Sequence, residues 1–442
     1  MSSTHFSSDS TVSVIGGGLA GCEAALQLAA RGMRVRLHEM RPHTVTPAHE
    51  TDRLAELVCS NSLKSLLPGT AAGLLKAELR QLGCRLLPIA ESCRVPAGNA
   101  LAVDRDAFAC AVTREVEAEP LIEVIRGEVG SLPAAPAIIA TGPLTSESLT
   151  AALLEAVGEE QLYFFDAIAP IIDADSLDHD VVYRATRYDK GDADYLNCPF
   201  DKEQYERFVI ALREGEKHEA HEFESRFFSQ LKWKFYENCI PVEELARRGD
   251  DTLRYGVLRP VGLNDPRSGR RPWAVLQLRS ENAGGTAWNL VGCQTMLRQG
   301  EQQRVFRLVP GLERARFLRY GSIHRNTYLH TPALADETLS LKSAPGVRLA
   351  GQLAGVEGYV ESIFGGWLAA ALTAGPLPLL PDTTISGQLW RHMITPSDRY
   401  QPMNANFGLL PPLPERIRDK KLKKAVLAAR ALDDLKKWVA DS

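Results

Sequence analysis

Val12-Ser13-Val14-Ile15-Gly16-Gly17-Gly18-Leu19-Ala20-Gly21 reads as an apolar strand running into Gly-x-Gly-x-x-Gly. An alanine-rich helix over Glu23 to Arg31 follows, then Gly32 and a second apolar run from Val35 to Glu39. This is one βαβ unit closed by an acid. Gly16 allows a tight turn shared with Gly17, Gly18 lets backbone approach a pyrophosphate, and Gly21 lets helix and strand pack closely. The helix start at Leu19 and Ala20 offers free N–H groups and a positive dipole end to a diphosphate. Glu39, 18 residues past Gly21, is placed to accept hydrogen bonds from ribose hydroxyls. A glycine-rich turn can also simply pack a helix on a sheet. With strand, helix, second strand and acid in register, a dinucleotide site is the expectation.

A second strand narrows the dinucleotide. Ala137-Ile138-Ile139-Ala140-Thr141-Gly142-Pro143 is a buried strand ending in Ala-Thr-Gly. Such a strand passes beside the diphosphate turn in flavoproteins that bind two dinucleotides, so Thr141 and Gly142 join the site and FAD fits better than NAD. Near the end, Gly346 to Gly351 forms another strand ending in glycine, and Val356 to Ser362 leads into a helix over Ile363 to Ala374. In FAD folds of this kind a late helix aims its N-terminus at the flavin, where the dipole stabilises an anionic reduced form. Gly351 and Tyr359 lie at that approach. No second Gly-x-Gly-x-x-Gly follows, so no dedicated NAD(P) domain is evident and a hydride donor would have to visit the flavin transiently.

Outward from these motifs, the chain divides. Residues 1–10 are a polar, serine-rich tail. Residues 11–145 form the first part of the FAD-binding domain, 146–320 an inserted domain in which the βαβ rhythm breaks, and 321–442 the second part. The fold class expected is α/β: a Rossmann-like FAD-binding domain of the glutathione-reductase type with an inserted α+β domain. Within the insertion, helices are predicted at Lys202 to Glu214 and Pro241 to Arg248, and a strand at Tyr255 to Val261. A helix from Glu415 to Val439 carries nine basic residues, either as a solvated face or as a surface for phosphates.

Composition excludes several classes. At 442 residues, the chain is long enough for about three domains. No uninterrupted apolar run of about 20 residues occurs, so no membrane span is expected. Eight cysteines lie scattered, without a C-x-x-C pair or metal spacing. Neither a disulfide framework nor a metal site is expected; free thiols suit a cytoplasmic protein. The net charge of −4 means that any nucleic acid must be held by a local patch.

Two cysteines stand apart. Cys59 precedes the capping residues Ser60, Asn61 and Ser62, which predict a helix just past it. Cys239 precedes Pro241, Glu243 and Glu244, suited to a first helical turn. A thiol at a helix N-terminus is favoured as thiolate, although the two glutamates oppose that at Cys239. Either cysteine can equally be a small buried hydrophobe.

The chain resembles the TrmFO family, formerly Gid, of folate- and FAD-dependent tRNA (uracil-5-)-methyltransferases. The resemblance rests on Gly-Gly-Gly-Leu-Ala-Gly-Cys-Glu-Ala-Ala at 16–25, Glu39-Met40-Arg41-Pro42, Leu57-Val58-Cys59-Ser60-Asn61-Ser62-Leu63 and Val95-Pro96-Ala97-Gly98. It continues through Ala140 to Ser146, Ala193 to Pro199, Cys239-Ile240-Pro241-Val242-Glu243-Glu244, His324-Arg325-Asn326-Thr327-Tyr328 and Gly351 to Ser362. It implies methylation of C5 of the T-loop uridine (U54) of tRNA. The carbon would come from 5,10-methylenetetrahydrofolate through a flavin N5-methylene, with NADH or NADPH reducing FAD. It further implies that Cys239 adds to uracil C6 and that Cys59 is the second thiol, expected to be the base. His324 is expected at the folate pterin, with Asn61 nearby. The partner implied is the tRNA T-loop, with no membrane and no obligate protein partner. Two alternatives remain at this point: a related flavoprotein that modifies the wobble uridine with a GTPase, and a non-catalytic FAD-binding regulator.

Overall fold

The computed structural model describes residues 11–46, 48–158, 162–167, 169–189, 193–217, 240–397 and 400–441, with backbone alone for 162–167 and 323–326. A five-stranded parallel sheet forms its centre, in the order Val347–Leu349, Ala137–Ile139, Val12–Ile15, Val35–Glu39, Ile122–Arg126. The three middle strands are rich in Val, Ile and Leu because both sheet faces are covered. Val12, Val14, Leu37, Ile138 and Leu349 are fully buried. The helix Leu19–Ala30 packs on this sheet and alongside the helix Tyr359–Ala374, which also reaches the strand Val347–Leu349. The two helices approach backbone to backbone: a Cβ on Gly366 would strike the Ala20 carbonyl oxygen.

A second, six-stranded sheet runs in the order Tyr183–Arg184, Tyr195–Phe200, Ala274–Ser280, Ala287–Leu290, Ile171–Asp173, Phe317–Arg319, with antiparallel pairings. The helix Lys202–Glu214 packs on it through Tyr205, Phe208 and Leu212, and begins at a capping box between Asp201 and Gln204. The expected strand at Tyr255 to Val261 is instead the end of a short helix, Thr252–Tyr255, followed by turns. Gly256 terminates that helix, and Pro260 has no N–H to give a ladder.

Three other boundaries differ from expectation. No helix follows Cys59; a strand, Ser62–Ser65, stands there. The Ser60 and Ser62 hydroxyls turn back on the N–H groups of Ser62 and Lys64, at 3.1 and 3.2 Å, and so close local turns. The late helix starts at Tyr359, because Gly358 at φ 123° sets the break just before it. The last helix spans Lys420–Asp441. Asp419 caps it, accepting the N–H groups of Lys421 and Leu422 at 2.7 and 2.9 Å. Among the described residues no helix is long and apolar enough to cross a membrane.

Candidate active site

The glycine turn leaves the sheet at the carboxyl ends of its strands, the position where open α/β sheets bind ligands. Gly16 turns at φ 103°, with its Cα so close to Thr141 that a Cβ would stand 2.7 Å from the Thr141 Cα. A Cβ on Gly21 would collide with the Gly16 carbonyl. Gly18, by contrast, faces open space and has no side chain to cap the helix that it begins. Gly18 lines a cleft at this helix start, and the first-turn N–H groups that follow it have no side-chain cap, an arrangement that suits a diphosphate. Gly351, at φ 65°, abuts Ala20. The cleft is lined by Gly16, Gly17, Gly18, Glu39, Arg41, His49, Glu128, Thr141 and Thr145.

Glu39 organises the far end. Its Oε2 accepts the Gly17 N–H at 3.0 Å, and its Oε1 accepts the Arg41 N–H at 3.0 Å and Nε at 2.8 Å. Burial alone would raise this carboxyl, but these bonds and the Arg41 charge hold it below the usual range. Arg41 is itself fixed by Glu56 and the Thr51 carbonyl. Oε1 is taken up by its two bonds from Arg41, whereas Oε2 accepts one bond and keeps acceptor capacity for a hydroxyl, so the carboxylate fits a ribose. His49, on the same wall, bonds Thr46 Oγ1 at 2.6 Å; burial and then the Arg41 charge pull it down to about 4. Gly142, at φ 65°, opens the short 3₁₀ turn Gly142–Leu144 after Thr141.

A second cluster adjoins the first. Ala55 donates its N–H to the Gly17 carbonyl at 2.8 Å, and four residues on the chain reaches Cys59. The Tyr359 hydroxyl oxygen accepts the N–H groups of Cys59 at 2.9 Å and Ser60 at 3.0 Å. Cys59 thus lies at the N-terminus of the late helix, with burial holding the Tyr359 hydroxyl neutral. On its other side, Arg105 reaches the carbonyls of Leu57 and Cys59 while paired with Glu281. Arg279 binds Ser60 Oγ and Asn61 Oδ1, both at 2.8 Å. Asn61 is fully buried and donates to the carbonyls of Val103 and Ser280 at 3.0 and 2.9 Å. Its amide is therefore engaged by protein on every polar atom; it brackets the Cys59 loop to the second sheet, and does not offer itself to a ligand such as folate.

His324 lies on the strand Ile323–Tyr328, opposite Asp166 on Leu162–Ala167. Cys239 lies outside the described residues. The basic turn at 267–271 holds Arg267 in a two-pronged pair with Asp265, both contacts at 3.0 Å. Arg41, Arg105 and Arg279 are the site residues that sequence reading left out. Arg41 sits in the quoted Glu-Met-Arg-Pro block, but Arg105 and Arg279 carry no local signal, since their partners lie about 46 to 219 residues away. Among the described residues no cluster of His, Cys, Asp and Glu is arranged to hold a metal.

Comparison with known proteins agrees in outline. The family model for glucose inhibited division protein A matches residues 11–377. A Moorella thermoacetica protein named methylenetetrahydrofolate–tRNA-(uracil-5-)-methyltransferase TrmFO is 53% identical over 429 residues, covering 96% of this chain and 97% of that protein. A Geobacter sulfurreducens protein of the same name is 53% identical over 437 residues, covering 97% of this chain and 99% of its own. Among solved structures, Aquifex aeolicus GidA in its form II crystal matches with a TM-score of 0.68 at 15% identity, over 98% of this chain and 76% of that one. At that identity the likeness speaks for the fold.

Proposed function

The chain belongs to the TrmFO family, and from that premise we propose that it methylates C5 of the T-loop uridine U54 of tRNA. The carbon donor is 5,10-methylenetetrahydrofolate. The Gly16–Gly21 turn and the Leu19 helix start would hold the FAD diphosphate, Glu39 would take its ribose, and Thr141, Gly142 and Gly351 would wall the site. When bound, FAD supplies electrons, drawn from NADH or NADPH, that reduce the folate-derived carbon to a methyl.

The chain's own groups then act on the uracil. C5 is a poor nucleophile until C6 is saturated. Cys239 thiolate attacks C6: an S–C6 bond forms, the C5–C6 double bond opens, and its electron pair moves toward the C4 carbonyl through C5. After C5 has taken the carbon, Cys59 removes the C5 proton. The C5–C6 double bond re-forms and Cys239 leaves as thiolate. The uridine must leave its stack to reach these thiols. His324 is assigned to the pterin from its motif.

The observation that carries this reading is the bond pair from Cys59 and Ser60 to the Tyr359 hydroxyl. It joins the most specific sequence block to the helix that FAD folds aim at the flavin. The roles of the thiols are tested with tRNA carrying 5-fluorouridine, whose C5 proton position is blocked. Cys59→Ala should still form a covalent protein–RNA adduct and Cys239→Ala should not. Adduct formation by Cys239→Ala, with none by Cys59→Ala, reverses the assignment.

A further inference from the structure

We propose that the basic start of the last helix, with the segment leading into it, is the surface that holds the phosphodiester backbone of the tRNA; this rests on the reading above. Arg416, Arg418, Lys420, Lys421, Lys423 and Lys424 are all exposed. From Lys420 to Val426 every residue is exposed, and burial against the body begins at Leu427 and Ala428. The charge is placed against the helix's own stability. Cations at a helix N-terminus oppose its dipole, and Lys420–Lys423, Lys420–Lys424 and Lys421–Lys424 repel at i,i+3 and i,i+4. After Asp419 the next acid is Asp433. Among the described residues, the ion pairs on this helix are those of Lys437, to Asp433 at 2.6 Å and Asp434 at 3.7 Å, at the opposite end. A purely solvated helix would distribute these charges the other way round. A polyanion binding there removes the repulsion.

Position favours RNA as that polyanion. The Lys424 ammonium lies 5.8 Å over the Phe407 ring. Two residues before Phe407, Ala405 donates its N–H to Glu361 Oε1 at 3.0 Å, in the first turn of the late helix. Lys64, five residues past Cys59, lies 3.5 Å from the same carboxylate oxygen. The basic end therefore adjoins, through contiguous contacts, the helix terminus where Tyr359 holds Cys59. A nucleic acid bound along it passes beside the Cys59 loop. Since the whole chain carries a net charge of −4, such a patch is what a polyanionic substrate requires.

The test uses the full-length, FAD-loaded chain and an unmodified tRNA transcript, followed by fluorescence anisotropy at several salt concentrations. Replacing Lys420, Lys421, Lys423 and Lys424 together by Gln should weaken binding on the order of 100-fold and flatten the plot of log K against log salt by roughly 3. The pair Arg416→Gln and Arg418→Gln precedes the helix and cannot unfold it; it should weaken binding roughly 10-fold. The control pair Lys436→Gln and Lys437→Gln should leave affinity unchanged. Unchanged affinity and slope in both of the first two variants overturn the proposal, as does an equal loss in the control. Leu422 is 54% exposed, so an anionic membrane is the competing occupant. Capture by phosphatidylglycerol vesicles that the lysine variant loses, with tRNA binding intact, also overturns it. Because the readout is binding, it is decided separately from methyl transfer: a wild-type chain that binds tRNA through this patch yet methylates none contradicts the assigned reaction alone.

Discussion

The glycine turn at 16–21 and the loop at 59–61 both lie against a helix N-terminus, yet they are built in opposite ways. The turn is made by its own sequence. Its shape follows from the absence of side chains at Gly16 and Gly21, and its contacts run to the neighbouring strand ends. The loop is made by groups remote in the chain: Tyr359 is 300 residues from Cys59, and Arg279 is 218 from Asn61. A site for a common cofactor can be written locally and reused. The Cys59 loop is held here by the second sheet and a late helix, so its geometry depends on distant parts of the chain meeting correctly.

That contrast can be broken by substitution. The largest effect is expected from Gly21→Val, where a Cβ cannot coexist with the Gly16 carbonyl. A loss of about 3 kcal/mol and of bound flavin absorbance is expected. Purification of a yellow variant with unchanged melting temperature would show that the turn tolerates more than its packing allows. Next comes Arg279→Met, which leaves Asn61 Oδ1 buried without its donor, a cost of about 1–3 kcal/mol concentrated in the loop. Turnover should fall roughly 100-fold, corresponding to about 2.7 kcal/mol in the barrier, while flavin content stays constant. A joint loss of flavin and activity would mean that the two regions are not separable.

Glu78 offers a pH test of a third, remote contact. This buried carboxyl accepts the N–H groups of Ile385 and Ser386 at 2.9 and 2.8 Å, and burial raises it to about 7. Because its folded value lies above its unfolded one, its contribution is full below about pH 4.5 and is lost as pH rises through about 7. Between pH 5.5 and 8 the wild type should lose on the order of 2 kcal/mol relative to Glu78→Gln in parallel denaturant titrations. A difference that does not change with pH would contradict the shift. The smallest effect is expected from Tyr359→Phe, which removes one acceptor from two backbone donors. About 1 kcal/mol of local stability and roughly 5-fold in turnover should go, with faster amide exchange at Cys59 and Ser60 as the specific signature.

The same contrast explains what could be read in advance. The parallel sheet, the glycine turn, Glu39 and the two strand ends at Thr141 and Gly351 follow from periodicity and glycine spacing, since the rules concerned are local. The helix expected after Cys59 is absent because the hydroxyls of Ser60 and Ser62 have two local uses, capping a helix or closing a turn, and the choice was made by Tyr359 and Arg279. Asn61 was legible as polar and near the site, but its three protein partners were not. The sequence predicts the late helix from Ile363, four residues short, because a glycine at positive φ marks its start only once the backbone is known. The identity of the reaction was carried by the cysteine blocks, whose meaning is familial and not physical.

The central claim is that Cys59, held at the late helix by Tyr359, acts in folate-dependent methylation of tRNA. Its most direct test is transfer of labelled carbon from 5,10-methylenetetrahydrofolate to unmodified tRNA by the FAD-loaded chain with NADPH, comparing wild type with Cys59→Ala. Label should enter the T-loop uridine with the wild type, and the variant should lose at least roughly 100-fold in rate while remaining yellow and folded. Near-wild-type transfer by Cys59→Ala, or a methyl group that arrives only from S-adenosylmethionine, would contradict it.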